Sequence, residues 1–148
     1  MNFKKVLKNG CYLPDLKSEN KQGIIEEMID YMVAVGKISD RQAVLDAVLE
    51  RENKMSTGMQ HGVAIPHGKT ASVEDLVVAF ALKKDGVDFN SIDGELSRIF
   101  IMTISSSNRT GPHIQYLSEI SKLLNSPSIR ESLLSCGSKE EIIKILTE

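Results

Sequence analysis

The segment GMQHGVAIPHGKT, residues 58–70, carries two of the chain's three histidines, His61 and His67, around a short apolar core. His67 stands between Pro66 and Gly68. Proline fixes its own φ and removes a backbone donor, while glycine lets the chain turn away without a side-chain clash. That frame predicts an imidazole at a strand end, on the rim of a sheet, with one ring nitrogen free. A neutral imidazole, whose reference pKa is about 6.5, is a competent nucleophile near neutral pH. A loop histidine with a structural hydrogen bond accounts equally well for these residues taken by themselves.

The third histidine, His113, follows Pro112 in GPHIQYL. The proline near a first helical position places His113 in an opening helical turn, with Thr110 or Gly111 as the cap. Free amides and the positive end of the helix dipole gather there, which suits an anion and favours the neutral ring. His113 as a simple shield of the helix start is the competing interpretation. Arg51, in LERENKMST, closes a predicted helix. Its planar fork of donors matches phosphate geometry and keeps its charge, although a lone arginine between Glu50 and Glu52 also fits a solvated face. Ser56, Thr57 and Gly58 offer hydroxyl and amide donors, or a plain turn.

The elements that must position these groups follow from periodicity. Ile24, Met28 and Met32 run beside Ile25, Ile29 and Val33, predicting a helix closed by a left-handed Gly36. SDRQAVLDAVLERE begins with Ser39 and Gln42 at capping-box spacing, and its apolar rows predict a second helix ending near Arg51. GVAIP is a short strand that Pro66 ends or confines to an edge. LVVAFAL, residues 76–82, and RIFIMTI, residues 98–104, are β-prone runs of the kind covered on both faces. Asp85-Gly86 predicts a hairpin turn between them, leading to a short VDF strand. GPHIQYLSEISKLLN, SPSIRESLLSCG and SKEEIIKILTE predict three closing helices, the last two each with a capping serine. The outcome is an α/β layered domain with a mixed sheet, of unassigned strand order.

The 148 residues suit one domain, 1–148, large enough to fold around its own core. Net charge is −2, which gives no reason to expect nucleic acid or an anionic membrane as a partner. Cys11 and Cys136 form no C-x-x-C pair, and no signal-peptide or membrane-span run occurs, so a reducing, cytoplasmic setting is expected. Any role in transport is then indirect. No G-x-x-x-x-G-K-[ST] loop is present, which argues against an ATP-dependent kinase.

Taken together, Arg51, the Ser56-Thr57-Gly58 turn, AIPHG around His67 and the later GPHIQ around His113 resemble the phosphorylation-site signature of a bacterial family. It is that of enzyme IIA domains of the phosphoenolpyruvate-dependent phosphotransferase system, of the fructose–mannitol type, which includes nitrogen-regulatory members. The resemblance covers nearly the whole chain. It implies a three-layer fold with a mixed sheet of about five strands between helical layers. It further implies that His67 accepts a phosphoryl group through Nε2, flanked by Arg51 and His113, with no metal and no cofactor. Phospho-HPr would be the donor, and a cysteine of a IIB domain in a sugar-transport chain the acceptor. The position of His61 is commonly asparagine or glutamate in this family, so no catalytic part is carried over to it; His61 is expected as a hydrogen-bonding rim residue of the phosphoryl-site loop. HPr docking requires a largely apolar surface near His67, for which Val63, Ile65 and Met59 are candidates, the first two also fitting the core.

Two other classes of function are weighed. In a regulatory module, phosphorylation of His67 would act as a charge switch on binding to a protein target. A metal hydrolase using His61, His67 and His113 fits poorly, because His-x5-His matches neither H-E-x-x-H nor a usual zinc pattern.

Overall fold

A computed structural model describes residues 2–109 and 111–147. The order of elements is α1 (Phe3–Lys8), β1 (Cys11–Leu13), α2 (Lys21–Ala34), α3 (Arg41–Lys54), β2 (Val63–Ala64), β3 (His67–Thr70), β4 (Val77–Val87), β5 (Ser97–Ser106), α4 (Gly111–Leu124), α5 (Pro127–Leu134) and α6 (Lys139–Thr147). The sheet runs β1-β4-β5-β2, with β3 also paired to β5. Only β4 and β5 are antiparallel to each other; β1 is parallel to β4, and both β2 and β3 are parallel to β5. The sheet is therefore mixed and five-stranded, as expected.

Alternation along the two long strands divides the core. Ala79, Ala81, Phe100, Met102 and Ile104 pack with α2 and α3 through Ile25, Met28, Ile29, Val44 and Val48. Val78, Phe80, Leu82, Ile99 and Ile101 pack on the other face with Tyr116 and Ile120 of α4, Leu133 of α5 and Ile142 of α6. Successive side chains of a strand point to opposite faces, so continuous apolar runs give a sheet buried on both sides. The three-layer α/β architecture follows.

Local chemistry sets the helix ends. Asn20 caps α2 by accepting from the Gly23 amide at 2.8 Å. At its other end, Lys37 N–H donates to Met32 O and Gly36 N–H to Val33 O, with Gly36 at φ +81°: the left-handed closure expected there. The start of α3 differs from expectation. Asp40, not Ser39, is the cap, accepting from the Ala43 amide at 3.1 Å; a carboxylate caps as well as a hydroxyl, and Asp40 is the residue in register with that amide. The helix also continues past Arg51 to Lys54. Ser126 caps α5 through the Ile129 amide, and Ser138 caps α6 through the Glu141 amide while donating to the Glu141 carboxylate. For α4, Gly111 is already helical, and Thr110 lies outside the described residues. The short α1 and β1 were not anticipated. They are held by Leu7, buried in the core, and by the Tyr12 hydroxyl donating to the Leu7 carbonyl.

Two strand readings are corrected. Asp85-Gly86 is not a hairpin turn: β4 passes through it and re-pairs at Val87 with Ser97, after a register shift beyond Leu82. Gly86, at φ +81°, supplies the left-handed residue that such a bulge uses, and the chain reverses further on, within residues 88–96. Secondly, Gly68 does not turn the chain away after a strand end. It lies inside β3, buried and paired with Ile104, and His67 opens that strand. A Cβ on Gly68 would stand 3.0 Å from Ala47 C and Val48 N, so the missing side chain lets the backbone of α3 lie against β3.

Because those neighbours are backbone atoms, Gly68→Ala must displace α3 or β3. Overpacking of this kind costs roughly 1–3 kcal/mol, and denaturant unfolding is expected to show a loss of that size. Gly137→Ala, where the added methyl meets open space, should be close to neutral. Equal stabilities for the two variants would refute this account of Gly68.

Candidate functional site

β2 and β3 are successive segments lying along β5, separated by Ile65 and Pro66. Pro66 has no N–H for the ladder, but its carbonyl accepts from the Thr103 amide at 3.2 Å, so the chain stays on β5 while the pairing breaks. His67 follows immediately, on a strand that among the described residues is bonded only to β5. Its Nδ1 lies 2.8 Å from Ile65 O. A carbonyl can only accept, so Nδ1 carries the ring proton and Nε2 holds the lone pair. Burial holds the half-buried ring below the ordinary histidine pKa; the Ile65 bond pulls upward, and the positive charge of Arg51 again downward. The neutral ring is thus favoured, with one defined basic nitrogen.

Two groups meet His67 from opposite helical layers. Arg51, in the last turn of α3, donates from Nη1 to the Met55 carbonyl at 2.7 Å and lines, with His67 and Lys69, a cleft of about 360 Å³. His113, in the first turn of α4, packs its ring 5.4 Å from that of His67 with a 47° interplanar angle. It is only 5% exposed, and burial, followed by the charges of His67 and Lys69, lowers its pKa to about 4. The opening turn of a helix is a place where a neutral ring is favoured, as anticipated, but here burial leads.

The Ser56-Thr57-Gly58 turn holds the frame together. Ser56 Oγ donates to Phe89 O at 2.6 Å and accepts from the Gly58 amide, and a Cβ on Gly58 would collide with Phe89 and Ser91. Thr57 is buried, and both its amide and its hydroxyl donate to the carboxylate of Glu52. Glu52 also pairs with Lys21 at 3.0 Å, whose ammonium stands 4.9 Å from the centroid of the Phe89 ring. The Thr57 carbonyl in turn accepts from the Ile65 amide, and Ile65 is the residue that holds His67. Glu52 was missed as a functional residue by sequence reasoning. In a linear reading it is one more charge beside Arg51; its signal is its place on the apolar row of Val44, Leu45 and Val48.

His61 stands apart from the other two histidines. It is exposed, takes φ 63°, and its amide donates to Asp93 at 3.0 Å. It lines two clefts, one with Met59, Ile65 and Ile120 and one with Arg98 and Arg130, neither of which includes His67. Among the described residues, no group of three or more His, Cys, Asp or Glu could hold a metal ion. No helix there is long and apolar enough to cross a membrane. Of the apolar candidates near His67, Val63 is buried, Ile65 half-buried and Met59 37% exposed; Ile114, next to His113, is 65% exposed.

Comparison with known proteins agrees with this fold. The model of the family described as phosphoenolpyruvate-dependent sugar phosphotransferase system, EIIA 2, matches residues 5–148. Over 134 residues the chain is 40% identical to the PTS system fructose-specific EIIABC component of Bacillus subtilis (strain 168), with 90% of this chain matched but only 21% of that much longer protein. It is 38% identical over 128 residues to the PTS system fructose-specific EIIA component of Haloferax volcanii, covering 86% of this chain and 83% of that one. Among solved structures, nitrogen regulatory protein IIA-Ntr from Neisseria meningitidis superposes with a TM-score of 0.86 at 31% identity, covering 97% of this chain and 98% of the other. With its fold, its family match over residues 5–148 and these relatives in agreement, the chain belongs to the EIIA type-2 family of the phosphoenolpyruvate-dependent sugar phosphotransferase system, a family of phosphotransfer components.

Proposed function

We propose that the chain is a single-domain phosphocarrier that takes a phosphoryl group from phospho-HPr onto Nε2 of His67 and passes it to a cysteine of a IIB domain during sugar uptake. The observation that carries this reading is the Nδ1–Ile65 hydrogen bond, which leaves Nε2 as the basic nitrogen in a cleft shared with Arg51. In the transfer, the P–N bond of the donor phosphohistidine breaks as a P–N bond to Nε2 forms. No proton need leave His67, because its proton already resides on Nδ1. Donor and acceptor are both imidazoles, so the step has little driving force either way. Catalysis then consists of in-line positioning and neutralisation of the equatorial oxygens. Arg51 supplies fixed charge and His113 a ring donor. Half-exposed Ile65, Met59 and Ile114 supply an apolar rim on which a docking protein excludes water.

A second reading, in which the phosphorylation state of His67 controls binding to a regulatory protein, is favoured by the likeness to IIA-Ntr over nearly the full length of both chains. Transfer from the phosphorylated chain to a IIB domain distinguishes the two: the carrier hands its phosphoryl group on, whereas the switch keeps it and changes partner.

Incubation with phosphoenolpyruvate, enzyme I and HPr should place an acid-labile phosphoryl group on the wild-type chain and none on His67→Ala. Labelling that survives His67→Ala would overturn the site assignment. A charge-assisted hydrogen bond contributes about 1.5–3 kcal/mol, so Arg51→Ala is expected to slow labelling roughly 10- to 150-fold. His113→Ala should lose less, on the order of tenfold.

The pH dependence has a definite sign. Both rings have depressed pKa values in the folded chain, His113 at about 4, against about 6.5 when unfolded. Between those values the unfolded state binds protons that the folded state does not, so stability is full above about 6.5 and declines as pH falls toward 4. NMR titration should find the midpoint of His67 below that of a free imidazole. A midpoint for His67 at or above the free value would contradict the burial described here.

A further inference from the structure

Three buried side-chain polar atoms lack a hydrogen-bond partner among the described residues: Thr103 Oγ1, Ser105 Oγ and His113 Nδ1. Their residues are 0%, 1% and 5% exposed, where polar groups are almost always satisfied. They are not scattered. Ile99 and Ile101 of β5 face the α4 side of the sheet, and the two-residue period of a strand puts Thr103 and Ser105 on that same face. Thr103 is the register partner of His67, and Ser105 of Lys69. Helix α4 follows β5 in the chain and packs on this face, with Tyr116 and Ile120 in one apolar cluster with Ile99 and Ile101. The ring of His113 rests against that of His67, the register neighbour of Thr103. A hydroxyl pair and a sealed ring nitrogen thus share the α4 side of the sheet, next to His67.

We propose that Thr103 and Ser105 are positioning residues whose hydroxyls reach Nδ1 of His113 through one bridging water that donates to it, and so keep its N–H on Nε2. The inference rests on the phosphocarrier reading, in which His113 must be a donor toward phosphoryl oxygens. A neutral imidazole has one donor and one acceptor nitrogen, and only its outward nitrogen can reach the phosphoryl group. An N–H on Nδ1 would turn a lone pair toward an anion, which is repulsive. A backbone carbonyl at this place would force the proton onto Nδ1, whereas a hydroxyl-held water that donates to Nδ1 allows it on Nε2, as an outer hydrogen bond sets the tautomer of a metal-bound histidine. Burial keeps the ring uncharged, so the choice of tautomer decides what it presents.

The test has two independent readouts. In 15N-histidine NMR of the unphosphorylated chain, His113 should be in the Nε2–H form. Thr103→Val with Ser105→Ala should shift it to a mixture or to the Nδ1–H form, and restoring the hydroxyl as Thr103→Ser should recover it. In the HPr labelling assay the double variant should be slowed roughly three- to tenfold, and it should add nothing to His113→Ala. The proposal is overturned if the wild-type ring carries its proton on Nδ1, if the double variant leaves the tautomer unchanged, or if it slows transfer further in the His113→Ala background. The NMR readout needs no phosphoryl donor, so failure of the phosphocarrier reading would show as an unlabelled wild type with the tautomer result standing on its own.

Discussion

The site depends on a single contact, between the Nδ1–H of His67 and the carbonyl of a residue two positions earlier. An imidazole free to rotate and to exchange tautomers would present a lone pair, an N–H or a carbon edge to an approaching phosphorus atom. Bonded to Ile65, it presents one nitrogen in one direction. That carbonyl is available because it points away from β5: the carbonyls of Gly62 and Pro66 take the β5 amides of Ile99 and Thr103, while Ile65 turns its amide to Thr57 on the other side. Pro66, which cannot donate to the ladder, marks the break between β2 and β3.

Fixing the ring is useful only if Ile65 itself is fixed, and a chain of polar contacts leads from it into the α2–α3 layer. The Ile65 amide donates to Thr57, Thr57 to Glu52, and Glu52 pairs with Lys21 of α2. A buried carboxylate shared among an amide, a hydroxyl and an ammonium is fully satisfied, and such networks give rigidity where a half-satisfied one would give strain. Arg51 stands one residue before Glu52, so the helix turn that anchors the loop also aims the guanidinium. From the opposite layer α4 contributes His113. The sheet edge that carries His67 is therefore reached from both sides, and the three-layer fold is what allows a guanidinium and a second imidazole to converge on it.

Much of this was legible in the sequence. The long amphipathic helices, the two apolar strands and the layered α/β arrangement follow from periodicity, because each buries a face whose pattern cannot be satisfied otherwise. The grouping of His67, Arg51 and His113 was legible only through the resemblance of their combined motif to a known family; taken one at a time, each residue had a structural explanation as good. What escaped reading was tertiary. Gly68 looks like a turn residue until α3 is laid against it. Asp85-Gly86 matches the commonest hairpin signal, yet here it serves a bulge, since the bulge and the turn both ask for a left-handed glycine. Asp40 and Ser39 are equivalent caps on paper and are separated only by register. Three residues of β1 are too few to show a period at all.

Among the described residues strand β3 pairs only with β5, and His67, Gly68 and Lys69 of this edge strand line a cleft with Arg51. A bare strand margin is an invitation to unwanted self-association through backbone pairing. Here the invitation is blunted by Lys69, which sets a solvated charge on the rim beside the histidine. A substitution at Lys69 that looks harmless to catalysis would therefore be felt first as a loss of solubility, through fibrous stacking of bare strand margins.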